Sequence, residues 1–165
     1  ILDRIKSQSP NAKTVLACSS AGGSICSQLA MSESAVSKLA GIAIVGTASP
    51  TPDISNSAAA RASLPIVYAH GSRDPLGWEE LNKEFGSLKA KDPSYPTRFL
   101  LFASGNHGTP IRMIDWRDTL NWIYASAPPP KSAPQSKSVP KTKTTSKQKP
   151  RPADAAEIPI GERAE

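Results

Sequence analysis

Four short apolar runs, each followed by a polar turn, set the rhythm of residues 1–126. The first, Thr14-Val15-Leu16-Ala17, ends in two serines. The second, residues 41–46, reads G-I-A-I-V-G with no polar position, which suits a strand buried on both faces of a parallel sheet. The third, residues 65–70, runs into Gly71-Ser72-Arg73-Asp74-Pro75, and the fourth, residues 97–103, runs into Ser104-Gly105-Asn106-His107-Gly108.

Between the runs the period changes to that of a helix. Ile1, Leu2 and Ile5 mark a short amphipathic segment stopped by Ser9-Pro10-Asn11. Ile25, Leu29, Val36 and Leu39 mark a helix over residues 24–39, with a break or restart at Ser32-Glu33-Ser34. Residues 48–64, rich in Ser, Pro and Ala, read as a loop or short cap. Trp78, Leu81, Phe85 and Leu88 mark a helix from about residue 76 to Asp92-Pro93. Thr109-Pro110 reads as an N-cap with proline in the first turn of a last helix, whose Ile114, Trp116, Leu120 and Ile123 can cover the sheet. Strands joined by such crossovers are parallel, so the expected class is α/β with a mostly parallel sheet flanked by helices.

In open sheets of this kind the site lies beyond the carboxyl ends of the strands. Residues 13–24 read K-T-V-L-A-C-S-S-A-G-G-S, a strand, a sharp turn and a helix start. Cys18-Ser19-Ser20-Ala21-Gly22 fits the spacing of a nucleophile elbow, with Ser20 at the tip. The flanking positions must be small because backbone and helix approach closely there. Ser19 is a poor rival, since it would leave Gly22 out of frame. A phosphate cradle does not fit, because no Gly-Lys-Ser/Thr follows. The bland reading is a Gly/Ser turn between a strand and its helix.

A serine hydroxyl needs an imidazole to take its proton, and the imidazole needs a carboxylate to fix its tautomer. The chain has two histidines, His70 and His107. His107 lies in a Gly-flanked loop after the last strand and is the candidate base. His70, at the end of a strand, reads as a packed or hydrogen-bonded group near the acid loop. Asp74 is the candidate acid, although Asp-Pro after a strand also serves as a turn and helix cap. Asp53 is the reserve acid. The chain order Ser20, Asp74, His107 is that of one hydrolase class among the known triad orders.

Taken together, Cys18-Ser19-Ser20-Ala21-Gly22-Gly23, His70-Gly71-Ser72-Arg73-Asp74-Pro75 and Gly105-Asn106-His107-Gly108 resemble the carboxyl-terminal half of an α/β-hydrolase. The likeness is to the esterase, dienelactone-hydrolase and prolyl-oligopeptidase-like branches and covers residues 1 to about 124. It implies Ser20 as nucleophile, Asp74 as acid, His107 as base and the Ala21 N–H as one oxyanion donor. The implied activity is serine hydrolysis of an ester or related acyl bond in a small-molecule substrate. A peptidase or polyester depolymerase of the same fold is the alternative, and a non-catalytic binding module of that fold is the alternative of another class. Cys18 departs from the usual glycine. The amino-terminal strands and the second oxyanion donor of the family are missing from residues 1–165, so the chain reads as a fragment or processed product, unstable or weakly active alone.

Composition changes this picture at one end. Of the +6 net charge on 165 residues, most falls on residues 127–165, which hold 8 basic and 4 acidic residues against 12 and 10 before them. That segment is rich in Pro, Lys, Ser and Thr and reads as a disordered tail, too polar to offset its ordering entropy. Lys131 to Arg151 carry seven basic residues and no acidic one, a surface for weak contact with an anionic polymer. No aromatic residue interleaves them for base stacking. No run is long enough to span a bilayer. The two cysteines, Cys18 and Cys26, read as inert reduced thiols, and with two histidines they match no familiar zinc spacing. No cofactor or metal is expected, and oligomeric state is left open. Location is left open among cytoplasm, periplasm and secretion, with the cytoplasm slightly favoured.

Overall fold

The computed structural model describes residues 1–47 and 53–128. The expected tail beyond residue 128 and its anionic contact at Lys131 to Arg151 lie outside the described residues, as do residues 48–52 of the loop after the second run.

The apolar runs form strands β1 (Val15–Ser19), β2 (Gly41–Val45), β3 (Ile66–Gly71) and β4 (Thr97–Phe102). They make one sheet in the order β1-β2-β3-β4, every pair parallel. This is the α/β arrangement with a parallel sheet that the crossovers imply. Both central strands are buried along their whole length, as continuous apolar sequence requires.

Alternate residues of a strand point to opposite faces. On one face Ile42, Ile44, Ile66 and Tyr68 pack with Cys26, Ala30, Val36, Ala58, Ala59, Leu81 and Leu88. These come from α2 (Gly23–Met31), α3 (Glu33–Val36), α4 (Ala58–Arg61) and α5 (Glu79–Lys91). On the other face Ala43, Val45, Val67 and Ala69 pack with Ile114 and Ile123, the latter from α7 (Trp116–Ser126). Burying one such Ile or Leu side chain contributes roughly 1.5–3 kcal/mol, so the central strands hold the frame on which the strand ends are set.

Two helices divide where capping chemistry is available. The expected helix over residues 24–39 is split into α2 and α3 at Ser32, whose Oγ accepts the Ala35 N–H at 3.4 Å. The last helix is split into α6 (Thr109–Met113) and α7 at Ile114, because the Asp115 carboxylate accepts the Asp118 N–H at 3.0 Å and starts a new helix. Thr109 is not the cap of α6. Gly108 holds that position, and Thr109 Oγ1 instead accepts the Asn106 N–H at 3.0 Å. Ile25 faces solvent at 58% exposure, whereas Cys26, Ser27 and Ala30 carry the buried side of α2. Helix α1 (Leu2–Gln8) buries none of its residues.

Among the described residues no helix is long and apolar enough to cross a membrane.

Candidate functional site

Parallel pairing brings the carboxyl ends of the strands to one edge. Ser19 stands opposite Val45, and Gly71 stands opposite Phe102, so the residues that follow each strand emerge side by side. After β1 the chain turns at once into Ser20, whose φ of +53° is in the left-handed region. Any residue with a Cβ is strained there, and an elbow uses that strain to project its tip side chain. Gly22 and Gly23 follow, and a Cβ on Gly23 would collide with the Thr47 side chain. The glycine is therefore what lets α2 start directly beneath the turn.

After β3 the chain is held by two bonds from its own backbone to the last loop. Ser72 N–H donates to Phe102 O at 3.0 Å and Arg73 N–H donates to Gly105 O at 2.8 Å. These bonds lock the Asp74 loop to the His107 loop. Asp74 has only 6% exposure, and its Oδ1 accepts the Leu76 N–H at 3.0 Å. It thus does what the turn-cap reading required. Its other oxygen faces the opposite way, toward the site.

The three residues named from the sequence are brought together. His107 Nδ1 lies 2.8 Å from Asp74 Oδ2 and His107 Nε2 lies 2.9 Å from Ser20 Oγ. A carboxylate can only accept, so Nδ1 carries the proton, and the Nε2 lone pair is left to accept from the Ser20 hydroxyl. The Asp74 carboxyl titrates below its ordinary value of 3.8. Burial pushes it up, but the hydrogen bonds from the Leu76 N–H and the His107 ring N–H, with the His107 and His70 rings close by, outweigh burial and keep it ionised. Ala21 follows Ser20 in the same 3₁₀ turn (Ser20–Gly22), so its N–H belongs to the elbow itself.

The remaining candidates separate cleanly. Ser19 precedes the elbow in extended conformation. Asp53 lies at a left-handed turn (φ +57°) where its carboxylate accepts from Ser55 Oγ at 3.1 Å and Asn56 Nδ2 at 2.6 Å. Its carboxylate is engaged within its own loop. His70 is fully buried, donating from Nδ1 to Gly71 O at 3.0 Å, with Nε2 3.7 Å from Asp74 Oδ2. It packs against the acid loop, as its place in β3 suggested.

Two features were not read from the sequence. Cys18 and Cys26 are joined in a disulfide, with Cα atoms 6.0 Å apart. This corrects the expectation of two reduced thiols. A strand end and the first turns of the helix that doubles back beneath it are close in space although separated in sequence by 8 positions. The second feature is Gly46, at φ +54°, whose Cβ would stand 3.2 Å from His107 O and 3.8 Å from both Asp74 Oδ2 and His107 Nδ1. A glycine closing an apolar run is the signal that could have located it.

The sequence matches no family model, and no curated protein matches it. Among solved structures, the crystal structure of TT1662 from Thermus thermophilus is similar in fold, with 14% sequence identity and a TM-score of 0.54. The likeness covers 73% of this chain and 58% of that one. The likeness is one of fold alone, to an α/β-hydrolase-like fold.

Proposed function

We propose that the protein is a serine hydrolase acting on an ester or related acyl bond through Ser20, His107 and Asp74. The observation that carries this reading is the unbroken hydrogen-bond chain from Ser20 Oγ through both His107 nitrogens to Asp74 Oδ2. In the proposed reaction, Ser20 Oγ attacks the carbonyl carbon while His107 Nε2 takes its proton. Asp74 stabilises the imidazolium that forms, and the Ala21 N–H faces the developing oxyanion. His107 then gives its proton to the leaving alcohol, and a water activated by the same imidazole releases the acid and frees Ser20.

The side-chain exposures support this division of labour. His107 is 41% exposed and open to substrate, whereas the Asp74 side chain is sealed from water. Hydrolysis of a short-chain p-nitrophenyl ester by the full-length protein tests the proposal. Ser20→Ala is expected to remove turnover by about 10⁶-fold, the scale on which a triad nucleophile acts. Equal turnover by the variant and the wild type contradicts it.

A further inference from the structure

We propose that the Cys18–Cys26 disulfide is the positioning element of the candidate nucleophile, so that the elbow is competent in its oxidised form. The inference rests on the serine-hydrolase reading and adds the redox state in which that site works.

The bond encloses the elbow. Between the two cysteines lie the seven residues Ser19 to Ile25, among them the candidate nucleophile Ser20, the Ala21 amide and the glycines that admit the helix. Ser20 occupies a left-handed conformation at φ +53°, which persists only where the surroundings over-determine it. Among the described residues β1 pairs with β2 alone, and Cys18 is its one buried position. Cys26, in contrast, is fully buried in the core beneath α2 and is a fixed post. The disulfide therefore fastens the carboxyl end of β1 to the core within two residues of Ser20.

The remaining local ties are weaker. The Gly23 N–H bonds back to Ser20 O, and Ser24 Oγ donates to Ala21 O at 3.0 Å in an exposed position. With the crosslink open, the turn has rotational freedom about Ser19 and Ala21, and Ser20 Oγ leaves the 2.9 Å contact with His107 Nε2 for part of the time. Misplacement of a reacting atom by about 1 Å costs on the order of 10²-fold in rate.

The opening step is ordinary thiol chemistry. A dithiol such as dithiothreitol supplies two electrons and two protons, the S–S bond breaks to two cysteine thiols, and the dithiol leaves as a cyclic disulfide. Because disulfides persist in oxidising compartments, the working form of the site is that of an oxidising compartment.

The test follows covalent labelling of Ser20 by a fluorophosphonate in the full-length protein, well below the melting temperature of its reduced form. Three forms are compared: oxidised wild type, wild type reduced by dithiothreitol, and Cys18→Ala/Cys26→Ala. Peptide mapping without reductant is expected to recover residues 18 and 26 as a crosslinked pair. The inactivation rate constant is expected to fall about 10²-fold in both opened forms, with probe affinity unchanged. Equal rate constants in folded oxidised and opened forms overturn the inference and leave the serine-hydrolase reading standing. So does recovery of both residues as free thiols from the active protein. Unfolding of both opened forms also overturns it, since the bond would then hold the whole fold and not the elbow. Absence of label from every form, with the crosslink present, refutes the nucleophile assignment and this inference with it.

Discussion

His107 Nδ1 and Asp74 Oδ2 lie 2.8 Å apart although 33 positions separate them in sequence. The pairing is made by parallel register, because β3 and β4 end side by side and the Arg73 N–H to Gly105 O bond ties their loops together. Asp74→Asn keeps the shape but offers an amide where a carboxylate accepts, which favours the wrong imidazole tautomer. Turnover of the p-nitrophenyl ester is expected to drop by about 10⁴-fold, with the melting temperature as the check on folding.

Asp74 also couples folding to acid. Its carboxyl titrates below 3.8 in the folded chain, so the ionised form is favoured by folding. The associated stability is fully present above 3.8 and is lost as pH falls through the depressed folded value. The gap in urea midpoint between wild type and Asp74→Asn is therefore expected to narrow as pH is taken from 5 toward 2.

The two histidines are predicted to respond in opposite ways. His70 is fully buried, so His70→Ala is expected to cost about 2–4 kcal/mol of stability by leaving a cavity and removing one of the two hydrogen bonds to the Gly71 carbonyl, the Asp74 N–H keeping the other. The half-exposed His107 is expected to be replaced by Ala at a cost of about 1 kcal/mol or less, with fluorophosphonate labelling abolished. Urea denaturation paired with labelling at equal folded fraction separates the two effects.

Gly46→Ala tests how closely the site is packed from β2. The added methyl group would meet His107 O at 3.2 Å in a backbone at φ +54°. Strain of this kind costs about 1–3 kcal/mol. The variant is expected to melt earlier and to label more slowly, since the methyl displaces the His107 loop.

Much of this arrangement was legible in the sequence, for a physical reason. Strands buried on both faces must be mostly apolar, so residues 41–45 and 66–69 announced themselves, and their crossovers implied the parallel order. With the strands parallel, Ser20, Asp74 and His107 had to lie at one edge. The phase of a helix against the sheet is set by packing, not by its apolar count. Gly23 fits against Thr47, α2 turns its small residues Cys26, Ser27 and Ala30 inward, and Ile25 is left outside. The disulfide was hidden for the same reason. Its existence depends on how closely α2 returns beneath β1, which two cysteines in a row of letters do not state. His70 was legible as a packed group, but its approach to Asp74 depends on a loop that folds back on its own strand.

The most direct measurement is covalent labelling of the full-length, oxidised protein with a fluorophosphonate, read by intact mass and peptide mapping. The account predicts one adduct, on Ser20, that is lost in Ser20→Ala and in His107→Ala. No adduct on the wild-type protein, or an adduct that persists unchanged in Ser20→Ala, contradicts it.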